Sequence, residues 1–307
     1  MVVGIVSSEQ FEPGSADELI ERGRFIDDDR LVRRAIAAHR EPEQRASDGE
    51  SLFAPPEAMN VQYCLHHFTC NICGSKCTAE TLDREIPSCP CGSNVRFRWV
   101  VHAVSMELFG QSLPLKKFPR SKHVRGLGLS DTLLFSNVFS KRFDYQNTCL
   151  DREPRFDIMI PNAAPEGAYD FVIASEVFEH VPPPVQTAFD NLARLLKPNG
   201  IAVFSSPWES TGNSVEHFPD LHDWQVVALR SGYVLLNRTI DSRLETFDDL
   251  VFHGGPGNTL EMRVFAKDDL LENIRAAGLQ VDFAEDNPDW GIVWEPWSRG
   301  MVLRRRG

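Results

Sequence analysis

The chain is short of basic residues, of long apolar runs and of cysteines outside one stretch. Its 307 residues carry 32 Lys+Arg against 44 Asp+Glu, a net charge of −12. That balance excludes a broad basic face for nucleic-acid backbones, so no nucleic-acid partner is expected. The basic runs, Lys116-Lys117 to Lys122 and Arg304-Arg305-Arg306, read as solvated surface. No apolar stretch reaches the length of a membrane span. The N-terminus lacks the basic start and apolar core of a signal peptide, so a soluble cytoplasmic protein is expected. No internal repeat is visible. Six of the seven cysteines fall between Cys64 and Cys91 in paired spacing, which in a reducing compartment points to metal rather than disulfides.

What is present suffices for a packed core: 42% hydrophobic residues and six tryptophans. The length suits one α/β domain of about 200 residues plus a smaller module. Residues 1–60 read as a helical or partly disordered extension, with a helical pattern from Ala16 to His39. Residues 61–98 are cysteine-rich. Residues 99–307 open on a helical pattern to Phe109 and then alternate strand and helix. A hairpin is expected around Tyr233 to Leu250, a helix over Lys267 to Ala277, and a final pair of strands bracketing Pro288 to Pro296.

In the cysteine-rich stretch, Cys70-x2-Cys73 and Cys89-Pro-Cys91 have the layout of two knuckles that together complete a tetrahedron around one structural zinc. Gly74 and Gly92 follow the two pairs, as tight turns beneath thiolates prefer. The second pair is one residue shorter than the usual Cys-x2-Cys. Cys64 and Cys77 are spare thiols able to replace a ligand, and His66 and His67 are further donors. Together these residues predict a zinc-ribbon-like module.

The most informative block runs from Tyr169 to Trp208. An apolar run, Phe171 to Ala174, reads as a buried parallel strand. Ser175, Glu176, Glu179 and His180 stand at its carboxyl end, where open α/β sheets bind ligands. A helix follows with Val185, Phe189, Leu192, Leu195 and Leu196 at helical spacing, then Leu-Lys-Pro-Asn-Gly and a second apolar strand from Ile201 to Phe204. This block resembles class I S-adenosylmethionine-dependent methyltransferases of the type 11-like "EVxEHV…LKPxG" group. The resemblance implies an α/β, Rossmann-like sheet of seven strands with Phe171 to Ala174 in its middle, and S-adenosylmethionine as cofactor.

Such enzymes carry an acid and then Gly-x-Gly-x-Gly after the first strand. Here Val124-Arg-Gly126-Leu-Gly128-Leu-Ser130-Asp131 stands in that place, with Gly128 as first glycine, Ser130 where the second belongs, and Gly126 in place of the acid. The helix Thr132 to Lys141 and the strand Phe143 to Cys149 should follow. Asn147 falls where a ribose-binding carboxylate is usual, Asp157 near the adenine position, and Ser175 at the end of the strand beginning at Phe171. The resemblance therefore makes Gly126, Gly128, Ser130, Asn147, Asp157 and Ser175 the expected cofactor-binding set.

Glu176-x-x-Glu179-His180 has two readings. In many methyltransferases it orients the following helix. In the ubiquinone-pathway O-methyltransferases and the small-RNA 2′-O-methyltransferases the same motif binds Mg²⁺ or a similar hard ion, which would acidify an acceptor hydroxyl. The loop Glu216-His217-Phe-Pro-Asp220-Leu-His222-Asp223 adds His217 and His222 as further ligands or as a general base. Glu176, His180, His217 and His222 are the expected catalytic set, and His253, Glu261 and Arg263 form a second candidate wall. The expected reaction is O-methylation of a small molecule or glycan hydroxyl. The alternative is a non-catalytic methyltransferase-like scaffold whose zinc module binds a protein partner.

Overall fold

The computed structural model describes residues 65–229, 232–295 and 299–305; the helical pattern expected from Ala16 to His39, Cys64 and Pro296 lie outside them. In chain order the elements are β1 (His66–Thr69), β2 (Lys76–Ala79), α1 (Val95–Phe109), β3 (Ser121–Leu129), α2 (Leu133–Arg142), β4 (Phe143–Thr148), β5 (Tyr169–Ser175), α3 (Gln186–Leu195), β6 (Leu196–Ser205), β7 (Trp208–Glu209), β8 (Val215–Glu216), β9 (Asp223–Leu229), β10 (Gly232–Arg238), β11 (Leu244–Phe247), β12 (Phe252–His253), β13 (Thr259–Leu260), β14 (Arg263–Ala266), α4 (Lys267–Ala276), β15 (Leu279–Phe283) and β16 (Met301–Arg305). They fall into two compact units, one holding the described residues up to Phe218 and from Met262 onward, the other Pro219–Glu261.

The larger unit is built on a mixed sheet in the order β15-β16-β6-β5-β3-β4. β6, β5, β3 and β4 pair in parallel, and β16 runs antiparallel to both β6 and β15. Among the described residues the sheet has six strands, where seven were expected. After β4 the chain passes through turns, with only a single bridge between Cys149 and Arg155 before β5. Period-two alternation explains how the central strands serve both faces. Phe171, Ile173, Ile201 and Val203 join one core with residues of α1 and α2, while Val172, Ala174, Ala202 and Phe204 join the other with α3 and α4. A strand buried on both sides has no polar position to spare, so β5 shows as a continuous apolar run.

The helices on either side of β3 begin on side-chain caps. Asn94 accepts from the Phe97 amide at the start of α1, and Gly110 closes it at φ 66°, a left-handed cap that disfavours other residues. Thr132 caps α2 on the Leu134 amide. Gly126, read from sequence as standing in the acid's place, has a packing role: a Cβ there would lie 2.2 Å from the Phe171 ring. Phe171 in turn stacks on Tyr145 and meets Phe139 and Phe143 edge to face.

The unit Pro219–Glu261 is a three-stranded antiparallel sheet, β11-β10-β9, with the short pair β12–β13; the expected hairpin is β10–β11. Its buried Asn237 donates to the Asp220 carbonyl and to Glu245 and accepts from the His222 amide.

Candidate functional site

Three groups of side chains, all in the larger unit, carry chemistry. The first is the cysteine cluster. β1 and β2 form a hairpin whose end presents Cys70 and Cys73, and the turn before α1 presents Cys89 and Cys91. Gly74 at φ 86° and Gly92 at φ 88° both take the left-handed backbone, and each ends its turn with an amide-to-carbonyl bond, Gly74 to Cys70 (2.8 Å) and Gly92 to Cys89 (2.9 Å). The four sulfurs converge within 4.8 Å of one another, with Sγ separations of 3.8 Å for Cys70–Cys91 and 3.5 Å for Cys73–Cys89 and Cys89–Cys91. Zn–S bonds of about 2.3 Å in a tetrahedron place sulfurs about 3.8 Å apart, so the donor set fits zinc. Cys77 packs in the small core beside Phe68 with its thiol toward the Ser75 carbonyl and is not one of the four. His67 pairs instead with Thr78.

The second group sits at the turn from β3 to α2. Ser130, read from the sequence as standing where a second glycine belongs, holds φ 63°, the backbone region a glycine would favour. Its amide donates to the Thr148 carbonyl. The Asn147 amide side chain accepts from the Asp131 N–H and donates to the Asp131 carbonyl, both at 2.8 Å. Tyr145 donates its hydroxyl to Asp131, and a Cβ on Gly128 would strike this pair, 2.0 Å from the tyrosine oxygen. Gly128 thus makes room for a clamp that ties the turn to β4. Asp157 caps its own turn by accepting from the Met159 amide at 2.9 Å.

The third group lies at the carboxyl ends of β5 and β6. Ser175 and Ser205 share a hydrogen bond of 2.8 Å, and Ser205 also donates to Glu176 at 2.8 Å. Glu176 stands at φ 58°, a strained conformation for a residue with a side chain. Two arginines that the sequence reading passed over reach this point. Arg84 ion-pairs with Glu176, and Arg96 donates to Ser175 at 3.0 Å while holding Glu85 through two bonds of 2.6 and 2.7 Å. Their signal lay in the run Asp83-Arg-Glu85 and Val95-Arg-Phe-Arg98 flanking the second cysteine pair. Ser206 donates to Glu179, whose other carboxylate oxygen lies 3.8 Å from His180 Nε2.

β14 brings His217 to this end of the sheet. The Met262 amide donates to the Glu179 carbonyl (2.8 Å), and the Met262 carbonyl accepts from the His217 amide (2.9 Å). Buried Arg263 grips Glu216 through two bonds and donates to the Phe178 carbonyl at 2.5 Å. Glu179, His180 and His217 are therefore on directly linked backbone. His222 is exposed in the unit Pro219–Glu261, where His253 and Glu261 pair at 2.9 Å.

Burial sets the electrostatics. Desolvation pushes the Asp131 carboxyl up to about 7, against the opposing pull of Tyr145 and Arg96. Desolvation, reinforced by Glu176, raises Glu179 to about 8. Burial alone would lower Arg96, but its bond to Glu85 and the fields of Glu176 and Glu179 raise it. These shifts set a pH dependence. Both carboxyls sit above their ordinary values of 3.8 and 4.5, so between those values and the raised ones the folded chain binds protons that the unfolded chain has lost. Their contribution is complete below about 4 and fades as pH rises through about 7 to 8. Urea midpoints of the Asp131→Asn, Glu179→Gln double variant are expected to fall less than wild type between pH 5 and 8; parallel profiles would refute the assignment.

Residues 135–282 match a family model described as a methyltransferase domain. No curated protein matches the chain. Among solved structures, the chain is similar to the 1,6-didemethyltoxoflavin-N1-methyltransferase of Burkholderia thailandensis (15% identity, 68% of this chain and 77% of that one, TM-score 0.38). It is also similar to an S-adenosylmethionine-dependent methyltransferase from Clostridium acetobutylicum (12%, 70% and 100%, TM-score 0.38). A third is CalS10, an amino pentose methyltransferase from Micromonospora echinaspora (13%, 70% and 93%, TM-score 0.39). No helix among the described residues is long and apolar enough to cross a membrane.

Proposed function

We propose that this chain, which carries a methyltransferase domain, moves the methyl group of S-adenosylmethionine to a hydroxyl of a small molecule or glycan, in the cytoplasm, with one structural zinc in its cysteine module. The observation that carries the reading is the β3–α2 turn. Ser130 adopts the glycine-like conformation that the family's cofactor-binding turn requires, and it is exposed at the carboxyl end of a parallel strand. Within the expected cofactor set, Ser130 and Asp157 would hold the cofactor. Gly126, Gly128 and Asn147 shape the turn from beneath, through Phe171, Tyr145 and Asp131.

The cofactor supplies an electrophilic methyl group. The protein's tasks are to align an acceptor and to remove its proton. Neutral imidazole suits the second task near pH 7, and His180 and His217, joined through Met262, are the bases assigned here. A hard cation at Glu176-x-x-Glu179-His180 fits less well, because Glu176 already neutralises Arg84 and accepts from Ser205. Glu176 then serves to hold the strand end. The four-thiolate zinc has no open position and is assigned no step in the reaction.

One observation favours the competing scaffold reading: Asn147, Ser175 and Glu176 spend their polar atoms on protein partners. Calorimetric titration with S-adenosylhomocysteine separates the two without knowledge of the acceptor. Saturable binding supports the enzyme, and absence of binding at millimolar concentration leaves the scaffold.

A further inference from the structure

We propose that the cysteine cluster is a positioning element for the methyl-transfer site, acting through Arg84 and Arg96; the inference rests on the zinc and methyl-transfer readings above. The path is continuous. The segment after β2 is fixed to the start of α1 by the Val95 amide on the Asp83 carbonyl (3.1 Å) and the Asn94 side chain on the Glu85 carbonyl (3.1 Å). Asp83 closes the turn by accepting from the Glu85 and Ile86 amides at 2.6 and 2.8 Å. The same start of α1 follows Cys91 by four residues, so the sulfur cluster and this platform share one short piece of chain. From the platform Arg84 and Arg96 extend to Glu176 and Ser175, and Ser205 joins those two across the ends of β5 and β6.

Glu176 needs such support. At φ 58° its backbone is strained, and a strained residue persists only where its surroundings over-determine it. The supports are the Ser205 carbonyl, which accepts from the Glu176 amide at 2.8 Å, the Ser205 hydroxyl, and Arg84. Of these, Arg84 is the one that the cysteine module supplies. Removing the metal frees the cysteine turns, then the 83–86 platform, then the arginines. The carboxyl end of β5 then relaxes while its buried middle stays fixed by both cores. Arg84 and Arg96 are positioning residues in this scheme, since they act through Glu176 and Ser175.

Hydrogen exchange read by mass spectrometry on the full chain tests this without any turnover. With zinc retained, Arg84→Ala should speed exchange in peptides covering 175–180 about tenfold, the size expected for losing a hydrogen bond between charged, half-buried groups. Arg84→Lys, which keeps the charge, should restore most of the protection. Chelation of the metal should reproduce the Arg84→Ala pattern at 175–180 while 171–174 remains protected. Unchanged exchange at 175–180 after chelation, with peptides over 70–91 deprotected, would overturn the inference. So would global loss of protection across the sheet, which would make the cluster a staple for the whole fold. In parallel, S-adenosylhomocysteine should bind Arg84→Ala about tenfold more weakly than wild type. If it binds neither protein, the methyl-transfer reading falls, and the exchange data still decide whether the cluster positions the strand ends.

Discussion

Cys73→Ser is expected to abolish stoichiometric zinc and to unfold the cysteine-rich segment while leaving the six-stranded sheet folded. The apolar content around the cluster is small: Phe68, Cys70, Cys77 and Cys89 make up its buried core. A core of that size cannot offset the chain entropy of ordering the hairpin and the second turn. In the proposed reading zinc supplies the difference, since binding to structural thiolate sites contributes on the order of 10 kcal/mol directly to folding. A hydroxyl at position 73 removes one of four ligands without altering the turn. The sheet has its own two cores and should keep its cooperative transition. Elemental analysis of protein purified without added metal should give about one zinc per wild-type chain and far less for the variant. A metal-free wild type, or a disulfide between any two of Cys70, Cys73, Cys89 and Cys91, would contradict the assignment.

His217→Ala should lower turnover by roughly two or more orders of magnitude while leaving affinity for S-adenosylhomocysteine nearly intact. The segment that carries His217 is anchored independently of its ring. Its amide is bound to Met262, and the neighbouring Glu216 is held by Arg263. Alanine removes the imidazole and its edge contact with Phe218 while leaving these backbone anchors in place. Turnover within about tenfold of wild type would exclude His217 as the base, and an equal loss of cofactor affinity would mark it as a structural residue. Chelation adds a second axis. Indifference to EDTA at the activity level, with zinc retained, supports an imidazole base; loss restored by Mg²⁺ would bring back the hard-cation form of the Glu176-x-x-Glu179-His180 motif.

The sequence by itself determined the sheet core and the cysteine knuckles, because both are local signals. Phe171 to Ala174 reads as a strand buried on two faces and is one, whereas Leu-Lys-Pro-Asn-Gly, expected to stop the helix ahead of a strand starting at Ile201, is itself the opening of β6, with the register to β5 shifting across it. Paired cysteines ending in glycines prescribe their own turns, and the four thiols that converge are the four the spacing named. Strand count was less legible: a seventh strand was expected, and the chain after β4 makes turns there. The tertiary structure alone showed what the glycines pack against. Gly126 and Gly128 read as cofactor glycines, and their missing Cβ atoms make room for Phe171 and for the Tyr145–Asp131 pair, partners 45 and 17 residues away from the respective glycines at the farthest. It also decided that Arg84 and Arg96 belong with Glu176 and Ser175, residues some 80 to 90 positions later in the chain. No periodicity encodes such a pairing. It arises when a half-buried carboxylate on a strained backbone meets the nearest cation that the fold delivers, and which cation that is depends on how the module's chain is folded back onto the sheet.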